Sequence, residues 1–421
     1  MRWKPTGVWL NSSYRMLWSA ATVSAFGSQI TGLAIPLLAA TTLNASALEI
    51  GVLAAAQNLA IPIFGLFAGV IADHRARRPL LIFSDFARAL VLLAIPIAWW
   101  TDHLSVGLLI VVSFLSGAFG ILFDVTRQSI VPNLVSREQL VAGNGKLYTS
   151  EAAADLTGPG LAGVLVQLIG APASVLLDCI SYFASALFLL KMRLVETVDR
   201  SPLGIRRVFT QLGEGFGVFR SIPLLRSMGI ATASGNLFES ARTAILVLFM
   251  TRELHLSAAY VGAVYACGGL GFFVGSLLPE WFSNRFGLGR AIVIGLLIFL
   301  VGDLLYPFAG GPKLVAAGIL ALAMFIGGVG GGIFDVNQFS LRQAMTPDSV
   351  RGRVNAVLRV MIRGIAPVGA LVGGIIAELI GLRAALVFAA LSSPVSLLVI
   401  YRARIHQLRT IPESAPSPVI V

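Results

Sequence analysis

Phe123-Asp124-Val125-Thr126-Arg127-Gln128-Ser129 and Phe334-Asp335-Val336-Asn337-Gln338-Phe339-Ser340, laid side by side, decide the fold. Each stretch opens on Phe-Asp-Val and closes on Ser, and they lie 211 residues apart, half of a 421-residue chain. The same offset carries Ile50-Gly51 onto Val261-Gly262, Asp73 onto Asn284, Asn144 onto Asn355 and Gly163 onto Gly374. It also carries Leu168-Ile169-Gly170 onto Leu379-Ile380-Gly381. One register linking matches so far apart marks an internal repeat.

The residues around these stretches say what is repeated. Apolar residues make up 57% of the chain, and Asp, Glu, Lys and Arg together only 12%. Soluble domains carry about twice that charged fraction. A membrane helix takes roughly 20 apolar residues to cross roughly 30 Å of hydrocarbon. The apolar content therefore supplies roughly a dozen crossings. The runs fall near 16–41, 50–72, 80–100, 105–126, 142–169 and 172–191, and resume near 224–251, 258–282, 290–309, 314–336, 352–379 and 383–401. Six runs, a polar break and six more predict an all-α membrane protein. Its twelve transmembrane helices would form two pseudo-symmetric six-helix halves. Ala45-Ser46-Ala47 resembles a signal-cleavage site, but the run before it is too long for a signal segment, so it reads as the first span. The expected divisions are an N-terminal half 1–191, a linker 192–222, a C-terminal half 223–403 and a tail 404–421.

The net charge of +11 is an address within the membrane and calls for no nucleic acid. With both termini inside, the inward segments hold 24 of the 31 Lys and Arg, the outward segments hold Arg252, Lys313 and Arg383, and four lie in or at the ends of spans. That asymmetry places both termini in the cytoplasm. Cys179 and Cys267 sit in apolar runs, and His74, His103, His255 and His406 are scattered, so neither a disulfide framework nor a metal site is expected. No P-loop appears, no cofactor is implied, and no Ser/His/Asp or metal cluster suggests an enzyme. In the linker, Ile205, Val208, Phe209, Leu212, Phe216 and Phe219 recur at helical spacing between Arg206, Arg207 and Arg220. They predict an amphipathic helix along the cytoplasmic membrane surface.

Gly69-Val-Ile-Ala-Asp73-His-Arg-Ala-Arg77-Arg78 resembles the Gly-x-x-x-Asp-Arg-x-Gly-Arg-Arg/Lys signature loop of the major facilitator superfamily, with His74 and Ala76 departing from it. The resemblance spans essentially the whole chain. It implies substrate binding between the halves, alternating access, and a cytoplasmic latch formed by Asp73, Arg77 and Asp124. The other reading of these three is a solvated turn with ordinary topology charges. Gly158-Pro159-Gly160-Leu161-Ala162-Gly163 resembles the Gly-Pro-x-x-Gly-Gly antiporter motif of superfamily exporters. Gly158, Pro159 and Gly163 also fit close helix packing. The span-four arginine of many proton-coupled members has no counterpart between Leu108 and Phe119. The loops look most like bacterial exporters of siderophores (enterobactin type), macrolides and other drugs.

Ionisable groups inside a membrane are costly, so each is a functional candidate. Glu239 and Arg242, three apart in the most polar span, face one another across a turn as a structural pair or as a substrate or proton site. Gln29, Asn58 and Asn236 join them as candidate cavity residues. With little negative charge elsewhere in reach, Arg242 is the expected partner of a neutral or weakly acidic cargo. Glu151 and Asp155, four apart on one face and followed by Pro159, are mirrored by Arg359 and Arg363 before Pro367, given a three-residue slip. Repulsion between the two carboxylates makes Asp155 with Glu151 the first proton-coupling candidate and Glu239 the second. The expectation is a secondary transporter exporting amphipathic small molecules (drug, siderophore or secondary metabolite) as a proton antiporter. It would sit in the bacterial inner membrane as a monomer whose partners are substrate, protons and lipid. The alternatives are a lysophospholipid or metabolite facilitator without proton coupling, and a non-transporting membrane receptor.

Overall fold

The computed structural model describes residues 7–193, 205–347 and 350–410. Within helices, the side chains of 66, 70, 73, 205–209, 211 and 212 are outside the described set. Every regular element among the described residues is helical. The first half contains α1 (Ser12–Leu37), α2 (Ala47–His74), α3 (Arg77–Trp100), α4 (Val106–Leu134), α5 (Leu140–Ile169) and α6 (Ala171–Lys191). There follow α7 (Ile205–Ser221), α8 (Pro223–Leu248), α9 (Ala258–Ser276), α10 (Pro279–Phe286), α11 (Leu288–Leu305) and α12 (Lys313–Met345). The chain continues through α13 (Arg351–Gly364), α14 (Ala366–Ile380), α15 (Leu382–Ala389) and α16 (Ser392–Arg402).

Eleven stretches among the described residues are long and apolar enough to cross a membrane. The predicted seventh span forms α8, whose 26 residues reach about 39 Å at 1.5 Å per residue. Arg226, Glu239, Arg242 and a series of Ser, Thr and Asn side chains leave it too polar to join the eleven. Large apolar side chains such as Leu168, Leu379 and Trp100 stand exposed along the helices, as lipid-facing positions must.

Helix ends follow from local chemistry. Asn11 accepts the Tyr14 amide at 3.1 Å, and Ser105 accepts the Leu108 amide at 3.3 Å. Before α2, Ser46 and Glu49 form a reciprocal capping box at 2.7 and 3.2 Å. α5 and α14 both stop at glycines with positive φ, Gly170 at 83° and Gly381 at 99°. A side chain there is strained by about 1–3 kcal/mol. Nothing lies within 4 Å of a methyl group placed on Gly381. Gly381→Ala should therefore lower stability by about 1–3 kcal/mol through the backbone alone, read as thermal unfolding in detergent. A neutral Gly381→Ala would count against this.

The 211-residue register reappears in the backbone. α1 runs into a π-helical turn at Leu38–Thr42, and α8 runs into one at Phe249–Glu253. Left-handed residues follow each turn, Asn44 at φ 49° and His255 at φ 50°. It reappears in the packing too. One core gathers Val8, Tyr14, Leu17, Leu81, Ile130, Leu134, Leu147 and Leu189. The other gathers Phe219, Leu225, Met228, Ile292, Leu341, Met345, Leu358 and Ile400, the same positions one repeat later.

The chain divides into two compact units, one of residues 1–44 and 59–204, the other of residues 45–58 and 205–421. Three sets of contacts lie within the second unit. Gly51 on α2 and Gly374 on α14 pack backbone to backbone, so a Cβ on either would come within 3.0 Å of the other's Cα. The linker helix α7 packs on α13, with Glu214 Oε2 2.7 Å from Arg353 Nη1. Its Phe219 is buried over Gly229 and against Leu358, where the first unit has Val8. Phe216 stays half-exposed, while the apolar side chains at 205, 208, 209 and 212 lie outside the described residues. Beyond α16, the Leu288 and Gly289 amides donate to the Arg409 and Leu408 carbonyls at 3.2 and 2.9 Å. The first residues of the tail are thereby part of the fold.

Candidate functional site

In each unit an arginine sits among polar side chains where helices cross. In the first unit it is Arg88 on α3. Its Nη2 donates to Ser28 Oγ on α1 at 3.2 Å and to the Tyr182 hydroxyl on α6, and its guanidinium stacks 4.0 Å above the Tyr182 ring. Ser28 and Tyr182 share a further hydrogen bond of 2.8 Å. Two carboxylates flank this group, both 0% exposed. Asp85 sits 3.8 Å from Arg88 Nη1 and accepts from Ser185 Oγ at 2.5 Å. Asp178 accepts from Thr31 Oγ1 at 2.5 Å and from Ser181 Oγ at 2.9 Å. Close approach of α1 to α6 makes this possible, because a Cβ on Gly27 would collide with Asp178 and Ser181.

In the second unit the arginine is Arg242 on α8. Its Nη1 donates to Asp303 Oδ1 on α11 at 2.7 Å and to the Tyr306 hydroxyl at 3.2 Å. Phe299 and Tyr306 place their rings 5.5 and 5.0 Å from its guanidinium carbon, within cation–π range. The register maps Ser28 onto Glu239, Thr31 onto Arg242 and Arg88 onto Phe299. The arginine has thus changed helix between the repeats, while the crossing it occupies recurs.

The expected pairing of Glu239 with Arg242 is a minor part of this arrangement. Glu239 Oε1 lies 3.7 Å from Arg242 Nη2, and its side chain is 51% exposed. Asp303, which the sequence places near an outer span end, takes the arginine directly. Arg242 is itself only 8% exposed.

The predicted carboxylate pair on α5 has divided partners. Glu151 Oε1 is 2.5 Å from Arg127 Nη2, a buried arginine on α4, whereas Asp155 accepts from Gln29 Nε2 on α1 at 2.5 Å. Asp124 lies 3.9 Å from the same Arg127 nitrogen and is 63% exposed. Arg77 donates to Ser129 Oγ at 3.1 Å, and the Asp73 side chain lies outside the described residues. Asn58 and Asn236 each bond back to a carbonyl of their own helix, Ala54 at 2.9 Å and Thr232 at 3.1 Å. Gly158 lies under the Gln29 side chain, Pro159 is inside α5, and Gly163 is buried. Among the described residues no group of three or more His, Cys, Asp or Glu is placed to hold a metal ion.

Asp85, Arg88, Tyr182 and Arg127 were missed as site residues in the sequence. Asp85-x-x-Arg88 carries a weak signal, an i,i+3 charge pair in an apolar run. Tyr182 and the serines of α6 carry none until α6 is laid against α1 and α3.

The profile of the family described as transmembrane secretion effector matches residues 6–418. The chain belongs to that family, within the major facilitator superfamily. Its members are transporters, not enzymes, which makes this a multi-pass membrane protein acting on a small-molecule substrate. The multidrug efflux pump Tap of Mycolicibacterium fortuitum is 26% identical over 406 residues, covering 94% of this chain and 95% of Tap. The enterobactin exporter EntS of Citrobacter koseri is 24% identical over 365 residues, covering 86% and 85%. Among solved structures, a point mutant of the nucleoside transporter NupG superposes with a TM-score of 0.72 at 14% identity, covering 94% of this chain and 99% of that one. A bacterial homologue of the iron transporter ferroportin, in its inward-facing state, gives 0.71 at 15% identity, covering 93% and 98%. At those identities the likeness is one of fold.

Proposed function

We propose that this chain is a proton-coupled exporter of amphipathic small molecules, of the drug, siderophore or secondary-metabolite kind. In this reading α8 is the twelfth span and two six-helix halves rock about a central substrate site. The protein works as a monomer in the bacterial inner membrane, with both termini in the cytoplasm. The observation that carries it is the set of ionisable groups inside the spans of both units, above all Asp155 on Gln29 and the half-exposed Glu239. A passive facilitator of greasy cargo has no use for them. Exporter relatives at near full length on both sides support the direction of transport.

Asp155, Glu151 and Glu239 are the carboxylates through which protons exchange with water, and Asp73, Arg77 and Asp124 latch the cytoplasmic side. In everted vesicles given a fluorescent amphipathic dye in the medium, collapsing the proton gradient should stop its uphill accumulation in the lumen. Asp155→Asn should do the same while sparing downhill exchange. Uphill transport that persists without the gradient would overturn the coupling and leave a facilitator.

A further inference from the structure

Counting charge in the α1–α3–α6 crossing leaves one acid too many. Asp85 and Asp178 are both fully buried, and Arg88 is the one cation within 4.0 Å of either among the described residues, at 3.8 Å from Asp85. α1 faces them with Ser28 and Thr31, α6 with Tyr182, Ser181, Ser185 and the Cys179 thiol. α4 faces them with Gly120, on which an added Cβ would lie 3.8 Å from the Arg88 guanidinium carbon, and more distantly with Asp124. Of the carboxylates named, Asp85 and Asp178 are the fully buried ones, and they face a single guanidinium, whereas Asp124 is 63% exposed. Asp85 Oδ1 and Arg88 Nε have no hydrogen-bond partner, so the carboxylate nearest the arginine is itself incompletely solvated. An uncompensated buried charge costs several kcal/mol, which a group avoids by taking up a proton.

The second unit lacks this imbalance. There Arg242 and Asp303 close at 2.7 Å, and the extra carboxylate, Glu239, is half-exposed. The repeat thus holds the same crossing twice, once balanced and once with a surplus acid.

We infer that the Asp85/Asp178/Arg88 crossing holds one exchangeable proton, shared between the two aspartates, and is the proton store of the first unit. Its role in transport rests on the proton-coupled reading above, whereas its presence can be read without any transport. A coupled carboxyl pair titrates as a unit, so the claim concerns the pair and not one member. The aspartates hang from α3 and α6, with hydroxyl partners on α1 and α6. A sliding of α1 against α6 would break the Thr31 bond to Asp178 and alter the hold on the proton.

The test is infrared difference spectroscopy on the purified full chain, in H2O and D2O. Wild type minus Asp178→Asn should show one protonated-carboxyl C=O band that shifts in D2O. Wild type minus Asp85→Asn should show the same band, because the surviving carboxylate then ionises to balance Arg88. Arg88→Gln should carry twice the wild-type amplitude, since both acids are left without a cation, and Arg88→Lys should restore it. Absence of the band from wild type, or its survival in either Asn variant, overturns the inference. If Arg88→Gln does not fold, the two Asn variants still decide. A normal set of bands in a protein that exports after gradient collapse would retire the coupled reading and leave the proton in place. Gradient-driven export with no band would do the reverse.

Discussion

Arg242→Met should destabilise the protein by about 3–5 kcal/mol, and adding Asp303→Asn should return most of that loss. The cause is the burial of both partners. Asp303 and Arg242 meet at 2.7 Å with side chains 3% and 9% exposed. Removing one member of such a pair strands the other charge where water cannot reach it, which costs about 3–5 kcal/mol. Replacing both with neutral groups strands neither, and is often close to neutral. Glu239→Gln should cost well under about 1 kcal/mol, because a half-exposed carboxylate at 3.7 Å is screened by water. Thermal unfolding of the purified variants, with the double variant alongside, measures all three. A double variant as unstable as Arg242→Met would show that packing against Phe299 and Tyr306, and not charge, holds the crossing.

The repeat was legible because matched residues keep their spacing whatever the chain does between them. Phe123-Asp124-Val125 and Phe334-Asp335-Val336 therefore gave the two-part layout, and the apolar runs gave the helices. Two things were not legible, for different reasons. The π-helical turns leave no mark in residue type, and Asn44 and His255 carry only the weak preference of Asn and His for the left-handed region. The charge partners were misread because a sequence displays i,i+3 and i,i+4 neighbours and hides cross-helix ones. Glu239 with Arg242 and Glu151 with Asp155 look like pairs on paper. In the fold three of these four groups turn to another helix, Arg242 to Asp303, Glu151 to Arg127 and Asp155 to Gln29, while Glu239 keeps a 3.7 Å contact with Arg242. Between Arg242 and Asp303 the cross-helix bond wins because burial excludes the water that competes with it, whereas Glu239 on the same helix stays partly wet.

The run Gly327-Gly328-Val329-Gly330-Gly331-Gly332 in α12 packs against neighbouring backbone, and Gly332→Leu should prevent the second unit from assembling. A Cβ on Gly332 would lie 2.6 Å from the Ser276 amide nitrogen and 2.7 Å from both the Gly275 carbonyl carbon and the Phe272 carbonyl oxygen. On the facing helix, a Cβ on Gly275 would lie 2.7 Å from Val329 Cα. These neighbours are backbone, so no rotamer change relieves the clash and α9 must separate from α12. Small residues are what allow two membrane helices to come this close, with dispersion and weak hydrogen bonds gained along the whole contact. Overpacking costs about 1–3 kcal/mol where side chains can yield, and Gly332→Ala should reach or pass the upper end of that range. Gly318 supplies the internal control. It lies in the same helix with nothing within 4 Å of its added Cβ, so Gly318→Ala should be neutral or stabilise by up to about 1 kcal/mol through backbone entropy. Opposite signs for Gly318→Ala and Gly332→Ala in thermal unfolding are the expected result. Equal effects at the two positions would mean that glycine in α12 serves helix flexibility and not the approach of α9.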